Sequence, residues 1–142
     1  MKTEHHARPV PYASEGPWNN EPDKALWDHA GYDCLMHRHS TSGHWCGYVG
    51  VPSDHALYEK NYEDPAFLNF TEEITYVDFC RDHICHHGDD FKHAKVWWIG
   101  FDFAHGCDYS PGIGALGSPN NYKTFEYVKR ATEAMAEQLA AV

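Results

Sequence analysis

Residues Val96 to Phe103 read Val-Trp-Trp-Ile-Gly-Phe-Asp-Phe, an almost continuous apolar and aromatic run between polar stretches. A strand with one wet face alternates apolar and polar residues, so a run of this kind predicts a strand covered on both faces. The chain must therefore build a sheet with material on each side and place this strand inside it. One such covering element is legible near the end of the sequence. Tyr122, Phe125, Val128, Met135 and Leu139 fall on one face of a helix whose other positions carry Glu126, Lys129, Arg130, Glu133 and Glu137. Asn120 or Asn121 is the expected N-cap.

The intervening segments supply the other strands. Cys34-Leu35-Met36-His37-Arg38 and Trp45-Cys46-Gly47-Tyr48-Val49-Gly50-Val51 flank the turn residues Ser40-Thr41-Ser42-Gly43, which predicts a β-hairpin closed by Pro52. Ser53 and Asp54 can cap a single helical turn, with a long loop to Asn69. Ile74, Tyr76 and Asp78 alternate with Thr75, Val77 and Phe79 as in a strand with unlike faces. Cys80 to Lys95 is polar and His-rich, and Tyr109 to Asn121, rich in Gly and Pro, cannot be regular structure; both are read as loops. Residues 1–24, with Pro9, Pro11, Pro17 and Pro22, suit an extended arm that Tyr12 and Trp18 could tack onto a groove or a neighbouring subunit. The expectation is one domain over residues 25–142, of the α+β class, with a mainly antiparallel sheet and the C-terminal amphipathic helix packed on one face.

Composition narrows the function. At 142 residues one core is expected. Eleven Lys plus Arg against 21 Asp plus Glu give a net charge of -10, which opposes binding of nucleic acid or an anionic membrane. Five cysteines without a CxxC pair, and no secretory apolar segment at the start, predict reduced thiols in a cytosol. No apolar run is long enough to span a bilayer. Twelve histidines make the charge sensitive to pH near neutrality.

Three groupings could carry chemistry. Asp102, His105 and Asp108 recur at spacing three where the apolar strand gives way to a loop. A carboxylate beside an imidazole fixes its tautomer and raises its basicity, preparing His105 as a base or ligand, and loop bracing is the competing reading. Cys80, His83, Cys85, His86 and His87 have the atom types zinc takes, with His83, Cys85 and His86 the chosen ligands, although the spacing matches no common structural site. Trp97 and Trp98 point to opposite faces of their strand, so at most one lines a given pocket. With Tyr48 they offer stacking surfaces, and Arg38 offers a partner for phosphate. Cys46, flanked by Trp45 and Gly47 on an apolar strand, is expected to be an inert small hydrophobe.

The order Gly31-Tyr32-Asp33-Cys34, Cys46-Gly47-Tyr48-Val49-Gly50-Val51-Pro52, Ile84-Cys85-His86, Val96-Trp97-Trp98-Ile99-Gly100-Phe101-Asp102, His105 and Asp108 resembles a family of small uncharacterised bacteriophage and prophage proteins. The likeness covers roughly residues 25 to 142. Thr71-Glu72-Glu73 stands where that family typically has His-Gly-Gly, and Phe103 where it usually has Cys, so roles for those residues do not transfer. The resemblance implies a setting, a phage protein in a bacterial cytosol. The reading that follows is a homo-oligomeric counter-defence protein that sequesters a small nucleotide-derived signal without turnover, using Asp102, His105, Asp108, Trp97, Trp98, Tyr48 and Arg38. The alternatives are a zinc-dependent hydrolase acting on a small nucleotide, and an acidic inhibitor of a host protein.

Overall fold

The computed structural model describes residues 1–6, 12, 14–79, 96–105, 108–113 and 118–142. Six strands, β1 (Lys2–Glu4), β2 (Lys24–His29), β3 (Tyr32–Arg38), β4 (Trp45–Val51), β5 (Tyr76–Asp78) and β6 (Trp97–Asp102), form one sheet in the order β1-β2-β3-β4-β6-β5. Every pairing is antiparallel. The α-helix α1 (Phe125–Ala140) packs across it, so the α+β class and the C-terminal helix on the sheet are as the sequence predicts.

The apolar run does lie inside the sheet, between β4 and β5, with Trp98, Ile99 and Phe101 at most 2% exposed. Alternation along the strands sorts side chains onto two faces. The first face carries Cys34, Met36, Val49, Val51, Ile99 and Phe101 and meets Val128, Met135, Ala136 and Leu139 of α1. Gly47 permits this contact: a Cβ there would stand 2.4 Å from Thr132 Oγ1 and 2.7 Å from the Phe101 ring. The second face carries Leu26, Leu35, Cys46, Tyr48 and Trp98, with Val96 beside them, all buried. Gly100 makes room on that face, because a Cβ would lie 2.3 Å from the Tyr48 ring.

The β3–β4 hairpin forms where predicted, and β4 ends before Pro52. Strands β1 and β2 were not anticipated. The two-residue turn joining β2 to β3 is Ala30-Gly31, with φ of 54° and 88°, a primed hairpin turn whose usual Asn or Asp signal is replaced by alanine. The helix cap is Thr124, whose Oγ1 accepts from Tyr127 N (3.2 Å), and not Asn120 or Asn121. Those two sit in a separate short turn, Pro119–Asn121, capped by Ser118. Asp64 caps another such turn, Pro65–Asn69, within the segment read as loop.

The segment before β2 is fastened to the core. Trp18 is 1% exposed and packs against Tyr109 and Tyr122 with centroids 5.1 Å from each. Glu21 reaches furthest: its Oε1 accepts from Trp45 Nε1 and the Tyr122 hydroxyl, and its Oε2 accepts from Phe125 N (2.8 Å) at the start of α1. A carboxylate on a helix N-terminus satisfies a backbone donor that has no partner within the helix and meets the positive end of its dipole. Among the described residues no helix is long and apolar enough to cross a membrane.

Candidate functional site

Strand β6 ends at Asp102, and the chain turns sharply after it. Asp102 Oδ1 accepts from Ala104 N (3.1 Å), and its Oδ2 accepts from Thr75 Oγ1 (3.2 Å) beside β5. Six residues on, Asp108 is 8% exposed and folds back onto His105. Its Oδ2 accepts from His105 N (3.2 Å) and from His105 Nδ1 (3.1 Å), and Lys123 Nζ lies 3.8 Å from Oδ1. A carboxylate can only accept, so in the neutral imidazole the proton sits on Nδ1 and the lone pair on Nε2. The His105 side chain is 49% exposed, so this imidazole is oriented from behind and open in front.

The aromatic neighbour of this corner was not singled out from sequence. Phe103 lies edge-on to His105 (6.4 Å) and to Tyr127 (5.6 Å), and Lys123 Nζ stands 5.2 Å from the Tyr127 ring centre. Tyr127 is 49% exposed. It also lines an open cleft of about 530 Å³ with Glu72, Thr124, Glu126, Arg130 and Ala131. Clefts that hold small ligands fall in this range of volume. Among the described residues the Arg130 side chain makes no hydrogen bond or ion pair, so its guanidinium is available there. The available signal was helical phase: Tyr127 and Arg130 fall off the apolar stripe that buries α1.

The other predicted site residues divide. Tyr48, Trp98 and Asp102 share the second face of the sheet, whereas Trp97 and Arg38 project to the first. Trp98 is 0% and Tyr48 6% exposed. Tyr48 stacks on His37 (5.4 Å, 12°), bonds its Nε2 through the hydroxyl (3.2 Å), and meets the Tyr76 edge. Burial pushes its phenol well above the usual tyrosine range. Trp97 donates from Nε1 to Lys60 O (3.2 Å) and packs on Phe79 (4.9 Å). Arg38 is committed to the interior. Its NH2 group donates to Glu21 O and Pro22 O, its NH1 to the Tyr122 hydroxyl, and its Nε lies 3.3 Å from Asp23. The guanidinium also stacks over Trp45.

Cys46 is buried, and burial, reinforced by Asp102, pushes its thiol up to about 12, so it is unreactive at neutral pH. Cys34 is raised further, chiefly by burial. His83, Cys85, His86 and the whole segment from Cys80 to Lys95, expected as a loop, lie outside the described residues. Among the described residues no three His, Cys, Asp or Glu side chains are grouped to hold a metal ion.

Comparison with known proteins returns no matching family model, no matching curated protein and no matching solved structure.

Proposed function

We propose that this protein binds and sequesters a small nucleotide-derived ligand, without turnover, in the cleft that Tyr127 and Arg130 line next to the His105 corner. The single observation that carries the reading is the exposed Tyr127 ring, which lines a cleft of about 530 Å³ with the uncommitted Arg130 guanidinium and packs on Phe103, the ring next to the oriented His105 imidazole. A base stacks on the ring, a phosphate takes the guanidinium fork and the Lys123 ammonium, and Glu72 or Glu126 accepts ribose hydroxyls. His105 Nε2 accepts an N–H or O–H from the ligand. The described cysteines are buried thiols with raised pKa values, which supports binding over covalent chemistry. The resemblance of the sequence motifs to phage proteins supports a counter-defence role as a homo-oligomer in the bacterial cytosol.

The test is calorimetry of the full chain against mononucleotides, cyclic nucleotides and cyclic ADP-ribose isomers, followed by heat release and chromatography of the bound compound. One member of the panel binds, and it leaves unchanged. Absence of binding by the whole panel overturns the reading, and recovery of a cleaved product overturns the claim of sequestration.

A further inference from the structure

The β3–β4 connection places His39 and His44 in a near-parallel stack, with ring centroids 5.1 Å apart and planes within 14°. His39 Nδ1 accepts backbone N–H groups from Thr41 (3.3 Å) and Ser42 (3.2 Å), a role that needs its lone pair. His44 Nδ1 lies 2.7 Å from Ser42 Oγ. Backbone bonds from His39 N to His44 O and from Gly43 N to His39 O close the turn. Both imidazoles thus shape one short loop, and its outer surface carries another. Gly112 N donates to Ser42 O (2.8 Å), and a Cβ on Gly112 would come within 1.8 Å of Thr41 O, so the two backbones touch directly. The touching segment, residues 108–113, begins at the carboxylate that orients His105.

We propose that this hairpin connection is a proton-operated latch on the His105 corner. It is closed while His39 and His44 are neutral, and it opens when acid protonates them, so that residues 108–113 leave Ser42 and the ligand is released. Protonating His39 Nδ1 turns an acceptor into a donor facing two N–H groups, and a second proton on His44 sets like charges in one stack.

The groups facing the stack set its balance. Burial and His39 hold His44 below the ordinary histidine range, against the opposing pull of Asp102 and Asp108. Lys123 sits beside Asp108 and offsets part of that pull. The Tyr12 hydroxyl lies against Gly43 in the same turn. For a histidine with a lowered folded-state pKa, stability is full above the unfolded value and falls as pH drops through about 6.5 and below. The latch therefore opens on the acid side of neutrality. As regulation of the ligand corner the proposal rests on the binding reading above, although the latch itself needs no ligand.

Amide NMR of the ligand-free full chain between pH 7.5 and 5.5 tests it. The signals of Thr41, Ser42 and Gly112 move together. Exchange protection of Gly112, corrected for intrinsic rate, falls several-fold, while core Ile99 is unmoved. His39→Asn keeps an acceptor near the Nδ1 position without a titrating proton, and it retains Gly112 protection at pH 5.5. Unchanged protection in the wild type, or equal loss in His39→Asn, overturns the latch. If His39→Asn does not fold, His44→Phe keeps a ring without charge and moves opening to lower pH; an unmoved midpoint overturns the proposal. Because no ligand is present, failure leaves the binding reading standing, and a working latch in a chain that binds no nucleotide overturns that reading alone.

Discussion

Arg38 and Asp102 stand in neighbouring rows at one end of the sheet, on opposite faces, and both are residue types that suggest ligand chemistry. Around Arg38 the interior closes: Asp23, the Glu21 and Pro22 carbonyls, Tyr122 and Trp45 take up the guanidinium, which is 1% exposed. Around Asp102 and Asp108 the chain closes only the rear. Thr75, Ala104 and Lys123 hold the carboxylates, and His105 and Tyr127 remain about half exposed. The difference is one of satisfaction. A buried charge must have its partners supplied by the fold, whereas a half-exposed ring can leave one side for something else.

The largest expected effect breaks the closed side. Arg38→Met removes the buried guanidinium that Asp23, the Glu21 and Pro22 carbonyls and Tyr122 share, and it costs about 3–5 kcal/mol in the denaturant midpoint analysis. A loss below about 1 kcal/mol would place the guanidinium among ordinary surface groups and erase the contrast. Glu21→Gln is milder and more specific. Its amide offers one acceptor where two oxygens now serve Trp45, Tyr122 and Phe125 N, so a donor meets a donor, at a cost of about 1–3 kcal/mol. Helix-start amides of α1 then exchange faster than those of its middle. His105→Ala has the smallest effect on stability, within about 0.5 kcal/mol. By losing one hydrogen bond of about 1.4 kcal/mol, it weakens ligand binding about tenfold in calorimetry. If its stability loss matches that of Arg38→Met, the corner is a brace and the two regions are alike.

How far the sequence announced this can be judged from single elements. The run from Val96 to Phe103, the hairpin of β3 and β4 and the stripe of α1 were legible because each is a local pattern read against a known period. Strand β2 was not, because Ala30-Gly31 forms a turn that normally advertises itself with Asn or Asp. Strand β1, only Lys2–Glu4, exists through pairing with β2 and has no pattern of its own. The fate of Arg38 was hidden for a different reason: its partners are 15 or 16 residues before it, at Asp23 and Pro22, and 84 after it, at Tyr122. The pairing of His105 with Asp108 was legible from spacing, while Lys123 and Tyr127 join that corner, and Arg130 the cleft that Tyr127 lines, only through the docking of α1.

The bond from Phe125 N to Glu21 spans 104 positions of the chain. On a ribosome the carboxylate emerges long before the amide it must meet. Through that interval the sheet can pair strand by strand, but Trp18 and Glu21 have only part of their seat, since Tyr122 and the first turn of α1 have not been made. Closure of a loop that long costs little more than closure of one half its size, yet it has to wait. The arm therefore completes its docking late in synthesis, and the end of the sheet that carries His105 acquires its final shape only with it.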